Sequence, residues 1–186
     1  MTRLSVNLNK VALIRNSRGS NFPDLIQVAK DCERFGAQGI TVHPRPDERH
    51  CKFSDLPLLK ENCATEFNIE GYPDRHFLEA VIKVKPHQCT LVPDAPNQIT
   101  SDHGWDTIAQ KDFLKEIIQE LKSNKIRVSL FIDADAKQIE GAANIGADRI
   151  EYYTGPYAKH FTVHPENAIK AIRETCSVAI KNGLGI

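Results

Sequence analysis

Two imidazoles and two guanidiniums fall within eight positions of this chain. They lie in the run Gly39-Ile40-Thr41-Val42-His43-Pro44-Arg45-Pro46-Asp47-Glu48-Arg49-His50. Histidine exchanges protons near neutral pH, and arginine holds anionic groups through paired N–H donors. Gly39–Val42 is β-branched and apolar enough to read as a buried strand, and Pro44 and Pro46 prevent it from continuing. A strand that opens into a stiff cationic loop can present His43, Arg45 and His50 to an anionic substrate. A solvated basic turn beside Asp47 and Glu48 is the alternative reading of the same residues.

Further candidates stand at other strand ends. Glu70 closes Phe67-Asn68-Ile69-Glu70. Partial desolvation there would raise its pKa and suit it to pass protons, although a strand-end glutamate also pairs with Arg or Lys. His43 and Glu70 on neighbouring strand ends would form an acid/base couple. Glu151, in Arg149-Ile150-Glu151-Tyr152, is a charge within a strand; it either pairs with a cation inside the fold or steadies a positive intermediate. Arg15 and Arg18 read as a flexible cationic loop, with Gly19 letting the backbone approach a phosphate. The polar stretch Pro93–Asp106 is long for a connection and reads as a lid whose Thr100 could bind phosphate, or as a merely mobile loop. No His-x-His strand pair or His-Glu-x-x-His helix is present, so a catalytic metal is not expected.

These residues need a scaffold that aligns strand ends. Strands are expected at Leu4–Asn9, Gly39–His43, Glu66–Glu70, Gln88–Val92, Arg127–Asp133 and Arg149–Thr154, and Leu184-Gly185-Ile186 reads as the start of a seventh. Helices are expected at Pro23–Phe35, Ser54–Glu61, Asp74–Val84, Thr107–Asn124, Lys137–Ile145 and Pro165–Lys181, with Phe113, Leu114, Ile117, Ile118 and Leu121 as the buried stripe of the fourth. A weak echo (Gly36-Ala37-Gln38-Gly39-Ile40, Gly146-Ala147-Asp148-Arg149-Ile150, Asn182-Gly183-Leu184-Gly185-Ile186) joins helix ends to strands. Strict β-α alternation implies a parallel sheet with helices outside it. No glycine-rich dinucleotide fingerprint follows the first strand, where Asn7-Leu8-Asn9-Lys10 stands instead. Polar residues recur at one strand end after another, as at the C-terminal face of a (β/α)8 TIM barrel. The expected fold is therefore such a barrel, incomplete, with about six β-α units in a single partial domain over residues 1–186.

Bulk properties narrow the function further. The 186 residues include 24 Lys and Arg against 24 Asp and Glu, a formal net charge of zero. That balance argues against broad binding to nucleic acid or anionic membranes and leaves room for a small phosphate ligand. No run reaches the ~18 apolar residues of a membrane span, and Met1–Lys10 lacks the apolar core of a signal peptide. Cys32, Cys51, Cys63, Cys89 and Cys176 are scattered and form no C-x-x-C pair, as expected for reduced thiols in a cytoplasmic protein.

Taken together, several segments in order resemble the pyridoxine 5'-phosphate synthase family: Val6-Asn7-Leu8-Asn9, Arg15-Asn16-Ser17-Arg18-Gly19, Gly39 through His50, Phe67-Asn68-Ile69-Glu70, Leu91-Val92-Pro93, Ser129-Leu130-Phe131-Ile132-Asp133 and Ile150-Glu151 through Thr154-Gly155. The resemblance implies condensation of 1-deoxy-D-xylulose 5-phosphate with 3-amino-2-oxopropyl phosphate, releasing phosphate and water, with no metal or organic cofactor. It implies acid/base roles for His43 and Glu70 and transition-state stabilisation by Glu151. It assigns Arg45, His50 and Thr100 to the deoxyxylulose phosphate, and Asn7 and Arg18 to the aminoketone phosphate. Asn9-Lys10 stand where better-known members carry Asp-His, so the substrate contact there would use a lysine. A homo-octamer is implied as well. The family continues past this point with a strand ending Asn-Ala-Gly-His and a later Gly-His pair. The 186-residue chain is therefore expected to be C-terminally truncated, to fold poorly alone and to have little activity, its alternative reading being a non-catalytic barrel fragment.

Overall fold

Short strands and longer helices alternate along the computed structural model, which describes residues 2–94, 98 and 100–186. The chain forms two compact units, Met1–Cys89 and Thr90–Ile186. The first holds β1 (Ser5–Asn7), α1 (Asn9–Ser17), α2 (Leu25–Arg34), β2 (Gly39–Val42), α3 (Asp55–Asn62), β3 (Glu66–Gly71) and α4 (Arg75–Val84). After β4 (Gln88–Leu91), the second holds α5 (Lys111–Ser123), β5 (Arg127–Ile132), α6 (Ala136–Asn144), β6 (Arg149–Tyr152), α7 (Gly155–Phe161) and α8 (Pro165–Lys181). Strand order is chain order, β1-β2-β3-β4-β5-β6. With the pairs β1–β2, β2–β3 and β5–β6 all parallel, this is the succession of an incomplete (β/α)8 barrel. Gly185 adds one parallel bridge to Arg149, at the place where a further strand was expected to start.

Register decides which side chains meet. Asn7 pairs with Thr41 and Thr41 with Asn68, so these three share one face of the sheet. Side chains alternate along a strand, which puts Ser5 and Glu70 on that face too, and directs His43, next after β2, the same way. Val6, Ile40, Val42, Phe67 and Ile69 take the other face; the last four are fully buried. In the second unit Ser129 pairs with Arg149 and Phe131 with Glu151, and these four again share a face. The apolar set Leu130, Ile132 and Ile150 occupies the opposite one and is buried. In the first unit one face is thus polar, while in the second Phe131 shares it with Ser129, Arg149 and Glu151.

Helix ends follow simple chemistry. Asp24 caps α2 by accepting from the N–H groups of Ile26 and Gln27, so Pro23 lies just outside the helix instead of in its first turn. Gly36, Gly146 and Gly183 all have positive φ, which explains the sequence echo as a repeated helix stop followed by a strand. Two helices were not anticipated. The α1 segment was expected to be strand end and loop, but its buried residues are only Ala12 and Arg15, too few for an apolar periodicity. Helix α7 has no buried residue at all. Phe113, expected in the stripe of α5, is 41% exposed, whereas Leu114, Ile117, Ile118 and Leu121 are buried at spacings of three, one and three.

The connection before α5 is anchored by close approach. The Gly104 N–H donates to Asp133 Oδ2 at 3.0 Å, the Trp105 N–H to the Phe131 carbonyl at 3.0 Å, and the buried Trp105 indole to the Leu91 carbonyl at 2.9 Å. A Cβ at Gly104 would sit 2.3 Å from the Asp133 nitrogen and 2.5 Å from the Ile132 carbonyl carbon. Backbone cannot yield as a flexible side chain can, so Gly104→Ala is expected to destabilise the protein by about 1–3 kcal/mol, read as a lower urea midpoint.

Candidate active site

The end of β2 is held down by asparagines. The Asn9 side-chain oxygen accepts from the His43 N–H at 2.8 Å, and the Asn7 side-chain oxygen accepts from the Asn9 N–H at 2.9 Å. Beneath them the hydroxyls of Ser5 and Thr41 meet at 2.8 Å, and the Asn68 amide reaches the Thr41 hydroxyl at 3.4 Å. The buried Thr41 and Asn68 side chains are therefore hydrogen-bonded, as their burial requires. On this layer His43 Nδ1 lies 3.9 Å from Glu70 Oε2, and the Asn7 amide reaches the same oxygen at 3.5 Å. The His43–Glu70 gap is too long for a direct hydrogen bond, yet a single hydroxyl could touch both groups.

Charge beside this pair is all positive. Burial pushes the His43 imidazole down to about 3, and the charges of Arg45, His50 and Arg49 push it the same way. His43 is consequently neutral at physiological pH and able to accept a proton. His50 is held below its ordinary value by burial and then by Arg49, Arg45 and Lys10. Arg45 and His50 are both buried. His50 Nδ1 is inaccessible and makes no hydrogen bond among the described residues. Arg49 is bound to Asp47, at 2.7 Å. At physiological pH the positive charge here is therefore carried by arginine, with the buried Arg45 acting on the neutral His50 imidazole.

The first unit thus brings together Asn7, Asn9, His43, Arg45, His50 and Glu70. Lys10 is exposed on the first turn of α1, close enough for its charge to act on His50. Arg18 is exposed at the C-terminal end of α1. Arg15 is not in a flexible loop: it is buried in α1 with its guanidinium bound bidentately to Asp55, 2.8 Å on each arm. In the second unit Glu151 is half-buried near the Thr90 hydroxyl; desolvation raises its carboxyl, against the opposing pull of Arg149 and of that hydroxyl. Thr100 is exposed, and its carbonyl accepts from the Gln98 amide at 2.9 Å. Part of the expected lid, residues 95–97 and 99, lies outside the described residues. Among the described residues no group of three or more His, Cys, Asp or Glu side chains is placed to hold a metal ion, and no helix is long and apolar enough to cross a membrane.

Sequence reasoning overlooked Thr41, Asn68, Asn16 and Asp55. The first two carried a signal, a polar residue every second position in a strand otherwise apolar. Asn16 and Asp55 carried none, because their partners are remote in the chain.

The strand ends of this barrel-type parallel β/α scaffold thus carry a histidine–carboxylate pair beside a buried arginine. Solved structures agree on the fold: a mandelate oxidase mutant with (S)-mandelic acid matches 98% of this chain and 59% of its own at a TM-score of 0.65 and 10% identity. The chain belongs to the family described as "Pyridoxal phosphate biosynthesis protein PdxJ", which matches residues 4–186. Relatives named pyridoxine 5'-phosphate synthase include proteins of Cytophaga hutchinsonii, 58% identical, and Christiangramia forsetii, 54% identical; each match covers 100% of this chain and 78% of the relative.

Two pH-linked outcomes follow from the buried groups. The unfolded His43 takes a proton below its ordinary value of 6.5, but the folded one does not until about 3. Its contribution to stability is therefore complete above pH 6.5 and lost as pH falls toward 3, on the order of 2–4 kcal/mol. His43→Asn should flatten that part of a plot of urea midpoint against pH. Glu151 has the opposite sign: its raised folded value costs stability once the unfolded carboxyl ionises. Glu151→Gln, which keeps an acceptor for Thr90, should raise stability at pH 7 by about 0.5–2 kcal/mol, seen as a higher melting temperature that converges with the parent's below pH 4.

Proposed function

We propose that this chain carries the pyridoxine 5'-phosphate synthase reaction, joining 1-deoxy-D-xylulose 5-phosphate to 3-amino-2-oxopropyl phosphate with loss of phosphate and water. The observation that carries the reading is the neutral His43 at 3.9 Å from Glu70, beside the buried Arg45 and His50, in a chain 58% identical to a protein of that name. Addition of an amine to a ketone, dehydration and ring closure each move protons to and from carbon, nitrogen and oxygen. Such a sequence needs groups that both accept and return protons, and a neutral imidazole next to a carboxylate supplies them.

Arg45 and His50 take the phosphate of the pentulose, with Thr100 a further contact to it. Asn7 and Arg18 contact the aminoketone phosphate, and Asn9 and Lys10 line the substrate side of the same strand end. Burial is the main cause of the lowered His43 value, and a bound phosphate dianion would offset the smaller part due to the positive field, making His43 a stronger base once substrate is present. Glu151 stabilises positive charge that develops on nitrogen along the way. Organic and metal cofactors have no part in this scheme.

In the protein carrying this chain, His43→Asn and Glu70→Gln should each lower turnover by two to four orders of magnitude while Kd for the pentulose phosphate changes little. Phosphate release and formation of the fluorescent pyridine product give the rate. Turnover within tenfold of the parent in both variants would show that another pair moves the protons.

A further inference from the structure

Between the cationic turn and α3 lies a closed ring of polar contacts that the reaction scheme does not use. Asn16 Nδ2 donates toward three consecutive carbonyls, those of Glu48 at 3.1 Å, Arg49 at 3.1 Å and His50 at 2.7 Å. An amide nitrogen has two hydrogens, so one of them is shared between acceptors. The other end of the amide is fixed as well, because the Arg15 Nε donates to Asn16 Oδ1 at 3.1 Å. The remaining arms of Arg15 grip Asp55, whose Oδ2 accepts from the Lys52 N–H at 2.8 Å. Burial alone would raise the Asp55 carboxyl, but the Arg15 guanidinium and the Lys52 amide hold it below the usual range.

The ring clamps the backbone that carries the anion-facing side chains. The Glu48 N–H closes a turn onto the Arg45 carbonyl at 2.8 Å, and Glu48 itself has φ of 50°, a conformation that a glutamate adopts only when held. The Glu48 side chain then accepts from the Phe53 N–H at 2.9 Å. Apart from Pro46 and Ser54, each residue from Arg45 to Asp55 is thus within one or two links of Arg15 or Asn16 on α1.

We propose that Asn16, oriented by the Arg15–Asp55 pair, is a positioning residue that sets the Arg45–His50 anion site and thereby the selection of a phosphorylated substrate. This rests on the proposed function only in taking the Arg45–His50 site to be a phosphate site. Asn16 touches no substrate; it acts through the backbone of residues 48–50.

The probe is inorganic phosphate, titrated into the folded protein while the His50 ring is followed by NMR. Asn16→Ala should weaken phosphate binding at least tenfold and raise KM for the pentulose phosphate similarly, with kcat within threefold of the parent. Glu33→Gln serves as control: Glu33 accepts from Ala64 and Thr65 remote from the cationic turn, so its loss lowers the melting temperature without moving either constant. Should Asn16→Ala not fold, Asn16→Gln and Arg15→Lys are read by the same titration, and parent-like phosphate affinity in both would overturn the proposal. Equal phosphate affinity in Asn16→Ala and parent would overturn it too. Failure of phosphate to move the His50 ring in the parent would instead overturn the underlying phosphate assignment, and the positioning role with it.

Discussion

Everything at the site depends on one constraint: parallel pairing in a fixed register on strands whose side chains alternate. Because Asn7, Thr41 and Asn68 are register partners, their polar groups fall on a common face, and the residues two positions further on rise above them. His43 and Glu70 are those residues. A slip of one position would turn both toward the helices and bring Val42 and Ile69 to the polar face. The buried hydroxyl of Thr41 and amide of Asn68 penalise that slip, since each would lose its hydrogen bond. The same arrangement recurs in the second unit, where Glu151 shares its face with Ser129, Phe131 and Arg149.

Electrostatics then gives the site its character. His43 stands close to a carboxylate yet remains neutral, because burial first, and then the charges of Arg45 and Arg49, outweigh one acid at 3.9 Å. A protonated histidine would already be spent as an acceptor; a neutral one is ready. The cations that keep it so are held in place rather than merely near. Arg49 is turned aside by Asp47, and Arg15, the most obvious further cation in the sequence, is consumed by Asp55. A buried ion pair of that kind contributes little net stability, but losing one partner would leave an uncompensated charge, so it serves better as a fixed joint than as glue.

The sequence was read correctly where the signal is local. The strands, the amphipathic helices and the glycine-terminated stops all show themselves within a dozen residues, and so does the run from His43 to His50. It was misread where burial is not apolar. In α1 the inward residue is an arginine, so the helix had no stripe to recognise; α7 buries nothing and had none either. Phe113 misled in the opposite way, an aromatic at the margin of a stripe whose centre is Leu114, Ile117, Ile118 and Leu121.

By itself the sequence determined which chemistry the chain can offer, because residue type and spacing fix the donors, acceptors and charges at each strand end, and it determined the alternation that builds the barrel-type succession. Tertiary structure alone decided which of those groups are available. Arg15 and Asp55 are 40 positions apart and His43 and Glu70 are 27 apart. Contacts at such separations are set by strand register and helix packing, which no local pattern encodes. So an arginine that reads as a phosphate ligand became a joint, and an unremarked asparagine beside it became the clamp on the turn that carries Arg45 and His50.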